Sequence, residues 1–190
     1  MNWNLIQLRN APGPVRCLAG GYLFALSFAY AYAVLNIALV VGLTPREIAI
    51  HYYGSDKKVE AEKNKDAGEQ ELSFDDLEEG SSGAPAMQTA PSLKSLVAEG
   101  HFHLFGMSSF FFGLTLLGLF VGIGDKWKSI LVFSPYVAVV IDNLSFLATR
   151  FLGPHMAWLT AAAGSLIFVT FSGLWILVAR ELIIGWRQAK

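Results

Sequence analysis

Apolar and polar positions along this chain fall into long blocks instead of short alternations. From Cys17 to Leu43 there are 27 residues without a charge, enough to cross a bilayer core of roughly 30 Å with several to spare. Gly100–Gly124 is a second uncharged stretch, Ser129–Thr149 a third broken only by Asp142, and Phe151–Ala179 a fourth. The pattern predicts an all-α integral membrane protein, with four transmembrane helices at 17–43, 100–124, 129–149 and 151–179 in an up-down bundle.

The blocks between them have their own signals. Residues 1–16 carry Arg9 and Arg16, and Pro12 and Pro14 argue against a regular helix between these. Ala29-Tyr30-Ala31 has the small-x-small pattern of a signal cleavage site, but the apolar run continues to Val41, as in a retained anchor. Thr44-Pro45-Arg46-Glu47 reads as a helix start, with Thr44 at the N-cap and Pro45 at the first helical position. It opens a short amphipathic piece through His51-Tyr52-Tyr53, closed by Gly54, with the tyrosines at lipid headgroup level. Residues 55–98 are dominated by Lys, Glu, Asp, Gly and Ser, and predict a long, largely disordered loop in which Leu72, Phe74 and Leu77 offer at most one amphipathic turn. Asp125–Lys128 reads as a tight turn, and Gly153-Pro154 as the next.

Composition narrows the class. Hydrophobic residues make up 54% of the chain and charged residues 15%, which points away from an ordinary soluble globule. No basic cluster resembles a nucleic-acid footprint, and a lone Cys17 offers neither disulfide nor thiolate cluster. The net charge of −1 hides a segregation. Arg9, Arg16, Lys126, Lys128, Arg180, Arg187 and Lys190 fall on one side of a four-span arrangement. The loop 44–99 falls on the other, Thr44–Gly100 holding 12 acidic and 6 basic residues, a net of −6. The positive-inside rule therefore puts 1–16 and 180–190 in the cytoplasm, for example of a bacterial inner membrane, and the acidic loop outside. Trp3, Trp127, Trp175 and Trp186 would form an inner aromatic belt, with Trp158 in the outer one.

That topology gathers the chemistry. All four histidines, His51, His101, His103 and His155, fall at the outer membrane boundary. Glu99, His103 and Met107 are spaced i, i+4, i+8, one face of a helix, and carboxylate, imidazole and thioether are all metal ligands. His101 and His103 lie about 200° apart on a continuous helix, so either the helix starts after His101 or the two have different partners. A metal site would use Glu99, His101, His103, Met107 and His155, with copper, iron or zinc as the ion. A haem b site would draw its axial ligands from His51, His101, His103 and His155, with Gly106 and Gly113 letting the macrocycle approach the second helix. The alternative is that these are interfacial histidines satisfied by headgroups, and that Met107 and the glycines serve packing.

Asp142 is the second anomaly. A carboxylate in hydrocarbon should face the bundle interior, protonated or partnered, with Asn143, Ser145, Thr149 and Arg150 as local candidates. It reads as a proton relay, a carboxylate holding a histidine tautomer, a quinone-ring partner, or a fixed point of helix register. Arg150 reads as an interfacial anchor. No nucleotide-binding, zincin, hydrolase-elbow or haem-attachment motif is present. Two functions follow as expectations: a redox subunit passing electrons between quinol in the bilayer and an outer partner, or an accessory subunit of a larger membrane complex whose acidic loop docks a basic protein. A proton-coupled carrier using Asp142 is a third. Helix number is similar to that of four-helix membrane b-type cytochromes, and no motif carries a family assignment.

Overall fold

A computed structural model of the protein describes residues 7–54 and 90–188. The expected disordered loop at 55–89, Leu72, Phe74 and Leu77 within it, and Trp3 and Lys190 lie outside the described residues. The rest is helical: a 3-10 turn at Leu8–Asn10, α1 at Gly13–Asn36 running into a π-helical turn at Ile37–Val41, and α2 at Pro45–Tyr53. Then follow α3 at Leu93–Gly118, α4 at Asp125–Leu152, a 3-10 turn at Pro154–Met156 and α5 at Ala157–Gln188.

Several boundaries differ from the charge pattern, each for a local reason. Pro14 sits in the first turn of α1, where no backbone donor is required, so the prolines open the helix instead of breaking it. α3 starts at Leu93, seven residues before the uncharged stretch, because the Ser92 hydroxyl accepts the Ser95 N–H and caps it. It ends at Gly118, and the connection to α4 is 119–124, so Asp125–Lys128 is the first turn of α4. An acidic residue there complements the helix dipole. α5 continues to Gln188, so most of the expected tail is helix. Gly153 takes φ 125° and reverses the chain between α4 and α5.

Among the described residues three helical segments, Gly13–Val41, Asp125–Leu152 and Pro154–Gln188, are long and apolar enough to cross a membrane. α3 has 26 residues but falls outside that group; Lys94, Glu99, His101 and His103 crowd its first half. Between helices in lipid the hydrophobic effect gives no net attraction, so packing and polar contacts must supply it. Among the described residues of the long helices, four neighbouring pairs are joined by side-chain hydrogen bonds. The Tyr22 hydroxyl donates to the Phe110 carbonyl at 2.8 Å (α1 to α3), and Trp175 Nε1 donates to Ser27 Oγ at 3.1 Å (α5 to α1). Thr115 and Tyr136 hydroxyls meet at 2.9 Å (α3 to α4), and Thr149 and Thr160 at 3.4 Å (α4 to α5). Glycines set the close approaches: a Cβ on Gly113 would overlap the Tyr22 hydroxyl, and one on Gly118 would lie 2.9 Å from Leu174.

At one end of the bundle, α2 lies over the ends of the long helices. Ile48 and Tyr52 are buried with Leu96, Phe146 and Ala157. Thr44 and Glu47 form a reciprocal capping box at its start, and Gly54 closes it. At the other end the Leu8–Asn10 turn docks on the α3–α4 connection, Leu8 N–H donating to the Phe120 carbonyl at 2.9 Å. Arg9 Nε lies 3.3 Å from Glu181 Oε2 there.

Candidate functional site

The α2 end holds the polar residues of interest. α3 and α4 come close at Gly100, where a Cβ would lie 3.1 Å from Asn143 Oδ1 and 3.2 Å from Phe146 Cζ. One turn further along α3, His103 Nε2 reaches Asp142 Oδ2 at 3.0 Å. The two side chains are 38% and 15% exposed, so the carboxylate is largely enclosed while the imidazole keeps an open edge.

A second polar contact lies beside it. The Tyr52 hydroxyl donates to Glu99 Oε1 at 3.4 Å, and the Tyr52 ring stacks on Phe146 with centroids 5.4 Å apart. Burial raises the phenol pKa above its ordinary value, and the charges of Glu99 and then Asp142 raise it further. Tyr52 is thus a neutral donor linking α2 to the face of α3 that carries Glu99 and His103.

Each residue singled out in the sequence has a definite place. α3 is continuous from Leu93, so His101 and His103 point apart. His101 is exposed, its ring against Phe105 at 4.8 Å and Phe102 at 5.7 Å. The stripe Glu99, His103, Met107 is one helix face serving three partners: Glu99 meets Tyr52, His103 meets Asp142, and Met107 packs on the main core. His51 is half-buried, edge-on to Tyr52 at 4.7 Å. His155 is exposed in the 3-10 turn, its ring 3.1 Å from where a Gly153 Cβ would stand. Among the described residues no group of three or more His, Cys, Asp or Glu side chains is arranged to hold a metal ion.

Asp142 does not use the local partners named from sequence. Asn143 Nδ2 donates to the Val139 carbonyl, Ser145 Oγ to the Asp142 backbone carbonyl, and Thr149 Oγ1 to the Ser145 carbonyl. Arg150 Nε donates to the Pro91 carbonyl at 3.3 Å, its guanidinium 5.7 Å from the Phe151 ring centroid. Of the two glycines expected to face a macrocycle, Gly113 is filled by Tyr22, whereas Gly106 is open.

Tyr52 and Glu181 are buried where the sequence reading left them at the surface. Tyr52 read as one of a pair of headgroup-level tyrosines. Glu181 read as part of a tail, yet it is 4% exposed. The signal lay in the spacing: Ile167, Thr170, Leu174, Val178, Glu181 and Gly185 form one stripe of α5, so Glu181 occupies a core position.

The arrangement can hold an imidazole in one tautomer. With the proton on Nε2, the ring donates to Asp142 Oδ2 and leaves a lone pair on Nδ1 that can accept a proton or a hydrogen bond. Comparison with known proteins gives no further chemistry: no curated protein and no solved structure matches the chain. One family model does match, that of Aq_1264_TM, described as a transmembrane helical domain, over residues 42–189. This span covers α2 to α5, and the chain belongs to the Aq_1264_TM family of transmembrane helical domains.

Proposed function

We propose that the chain crosses the membrane four times with both termini in the cytoplasm, and that His103 and Asp142 take a quinol at the extracytoplasmic boundary, in a subunit that passes the electrons to a partner outside. The 3.0 Å contact between His103 Nε2 and Asp142 Oδ2 carries this reading. A carboxylate at the centre of a membrane helix costs roughly 2.5–3.5 kcal/mol on insertion scales, and here it faces a titratable imidazole instead of a fixed cation. A quinol hydroxyl donates to Nδ1. Oxidation of the quinol releases two protons with its two electrons: the first proton moves to Nδ1, where Asp142 stabilises the imidazolium across the 3.0 Å contact, and passes to the outer water before the second follows the same route. A haem b, or a copper or iron ion, would supply the one-electron acceptance that takes the two electrons in turn.

Quinol is favoured over haem bound directly to His103 on two grounds. Nε2 is turned to Asp142, so iron would need Nδ1, which is crowded by the side chain's own Cβ. The Tyr22 ring also fills the space beside Gly113. A zinc site would need more donors than His103 and one neighbour. α3 serves as the fourth span: Gly100–Gly118 carries no charge, and the basic flanks and acidic loop then segregate by side. The net −6 of Thr44–Gly100 suits a basic partner, with affinity falling as salt rises.

The test is quinol-analogue binding to detergent-purified protein. His103→Ala and Asp142→Asn should each weaken binding about tenfold or more, a loss near 1.4 kcal/mol, while His51→Ala and His155→Ala leave it unchanged. Undiminished binding in His103→Ala sinks the reading. A Soret band lost in that variant would replace quinol with haem.

A further inference from the structure

At the end of the bundle away from His103 lies a polar feature that the reading above does not use. α4 opens there at Asp125, and in its first turn Lys128 is 7% exposed. Its Nζ is buried and has no hydrogen-bond partner among the described residues. An ammonium in that state is costly, because desolvation is not offset by an anion. Lys128 also forms part of the wall of a cavity of about 380 Å³, shared with Leu119, Asp125, Ser129 and Val132. The wall thus combines one cation, one carboxylate and two aliphatic side chains. Ser129 Oγ donates to the Asp125 carbonyl at 2.9 Å, so toward a ligand it can only accept. Trp127, 66% exposed, precedes Lys128 in the first turn of this membrane-crossing helix, where indoles favour the headgroup layer.

We infer that this cavity binds a phosphoethanolamine lipid headgroup, with the phosphodiester on Lys128, the ammonium on Asp125, and Leu119 and Val132 against the glycerol and first acyl carbons. The four-carbon stem of Lys128 lets the ammonium turn out of the wall to meet the phosphate, which supplies the anion it lacks. The carboxylate sets the choice among lipids. It repels a headgroup of net negative charge, such as phosphatidylglycerol, and it finds no N–H on the quaternary ammonium of phosphatidylcholine. A free phosphate brings a second negative charge toward Asp125 and nothing for the aliphatic wall. The inference rests on α4 crossing the bilayer and is independent of the quinol reading.

The test uses the full chain, delipidated in detergent and titrated with short-chain phosphatidylethanolamine, phosphatidylglycerol and phosphatidylcholine, with Trp fluorescence and melting temperature as readouts. Phosphatidylethanolamine should bind about tenfold tighter than either of the others. Lys128→Met should abolish that binding and Lys128→Arg restore part of it. Asp125→Asn should keep lipid binding but erase the preference for ethanolamine over glycerol headgroups. Circular dichroism of each variant reports folding, and Asp125→Asn, at an exposed position, keeps the test open if Lys128→Met does not fold. Equal affinity for the three lipids, or a preference unchanged in Asp125→Asn, overturns the inference. Soluble phosphoethanolamine binding as tightly as the lipid overturns the assignment to a lipid and leaves a small-molecule site.

Discussion

Asp142 and His103 meet although neither helix announces the pair: the carboxylate stands alone in an apolar stretch, and the imidazole sits 39 positions earlier. What the pair fixes is a proton position. Asp142→Asn keeps the size of the side chain but can present an N–H to Nε2, so the His103 tautomer should shift from Nε2–H toward Nδ1–H. Nitrogen NMR of labelled imidazole checks this, and an unchanged Nε2–H signal would mean that Asp142 does not set the tautomer. Tyr52 gives a pH prediction with a definite sign. Its phenol pKa is raised in the folded state by burial and by Glu99 and Asp142, so the folded state holds that proton more tightly than the unfolded chain. The resulting stability is complete below the ordinary value of about 10 and is lost as pH rises toward the folded value. Melting temperature should therefore fall more steeply above about pH 10 in the wild type than in Tyr52→Phe, which keeps the stacking on Phe146. Equal slopes would count against the burial argument.

At the scale of elements, the contacts that join helices are few and specific. Gly113 and Gly106 lie seven residues apart on α3, yet only Gly113 receives a neighbour, the Tyr22 hydroxyl that also donates to Phe110. Gly113→Ala should force α1 and α3 apart and cost about 2 kcal/mol, in the range for overpacked sites, whereas Gly106→Ala should be neutral or slightly stabilising. Thermal unfolding in detergent decides between them, and similar losses at both positions would refute the assignment. The short helix α2 was legible at both ends, since Thr44, Pro45, Glu47 and Gly54 are local signals that act through the backbone next to them. The beginnings of α3 and α4 were not. Charge does not end a helix, so Lys94, Glu99, Asp125 and Lys128 sit inside helices that the uncharged stretches placed further along the chain.

For the whole molecule, the proposed orientation rests on where the basic residues fall, and labelling tests it directly. With Cys17 replaced by Ser, Ser92→Cys should react with an impermeant maleimide added outside intact cells, and Lys126→Cys only after permeabilisation. The reverse pattern would invert the orientation and put His103 at the cytoplasmic face.

The sequence by itself determined the membrane class, the long apolar helices and the capped helix between them, because uninterrupted apolar length and local capping act within a single segment. It also gave the suspicion attached to His103 and Asp142, since an ionisable group in such a setting needs a partner. Only the tertiary structure decided who that partner is. A side chain on one helix meets another across a gap set by close approaches such as Gly100 against Phe146 and Gly113 against Tyr22, and these depend on how the helices rotate and slide together. For the same reason the four histidines went to separate neighbours, and Glu181 and Lys128 became buried.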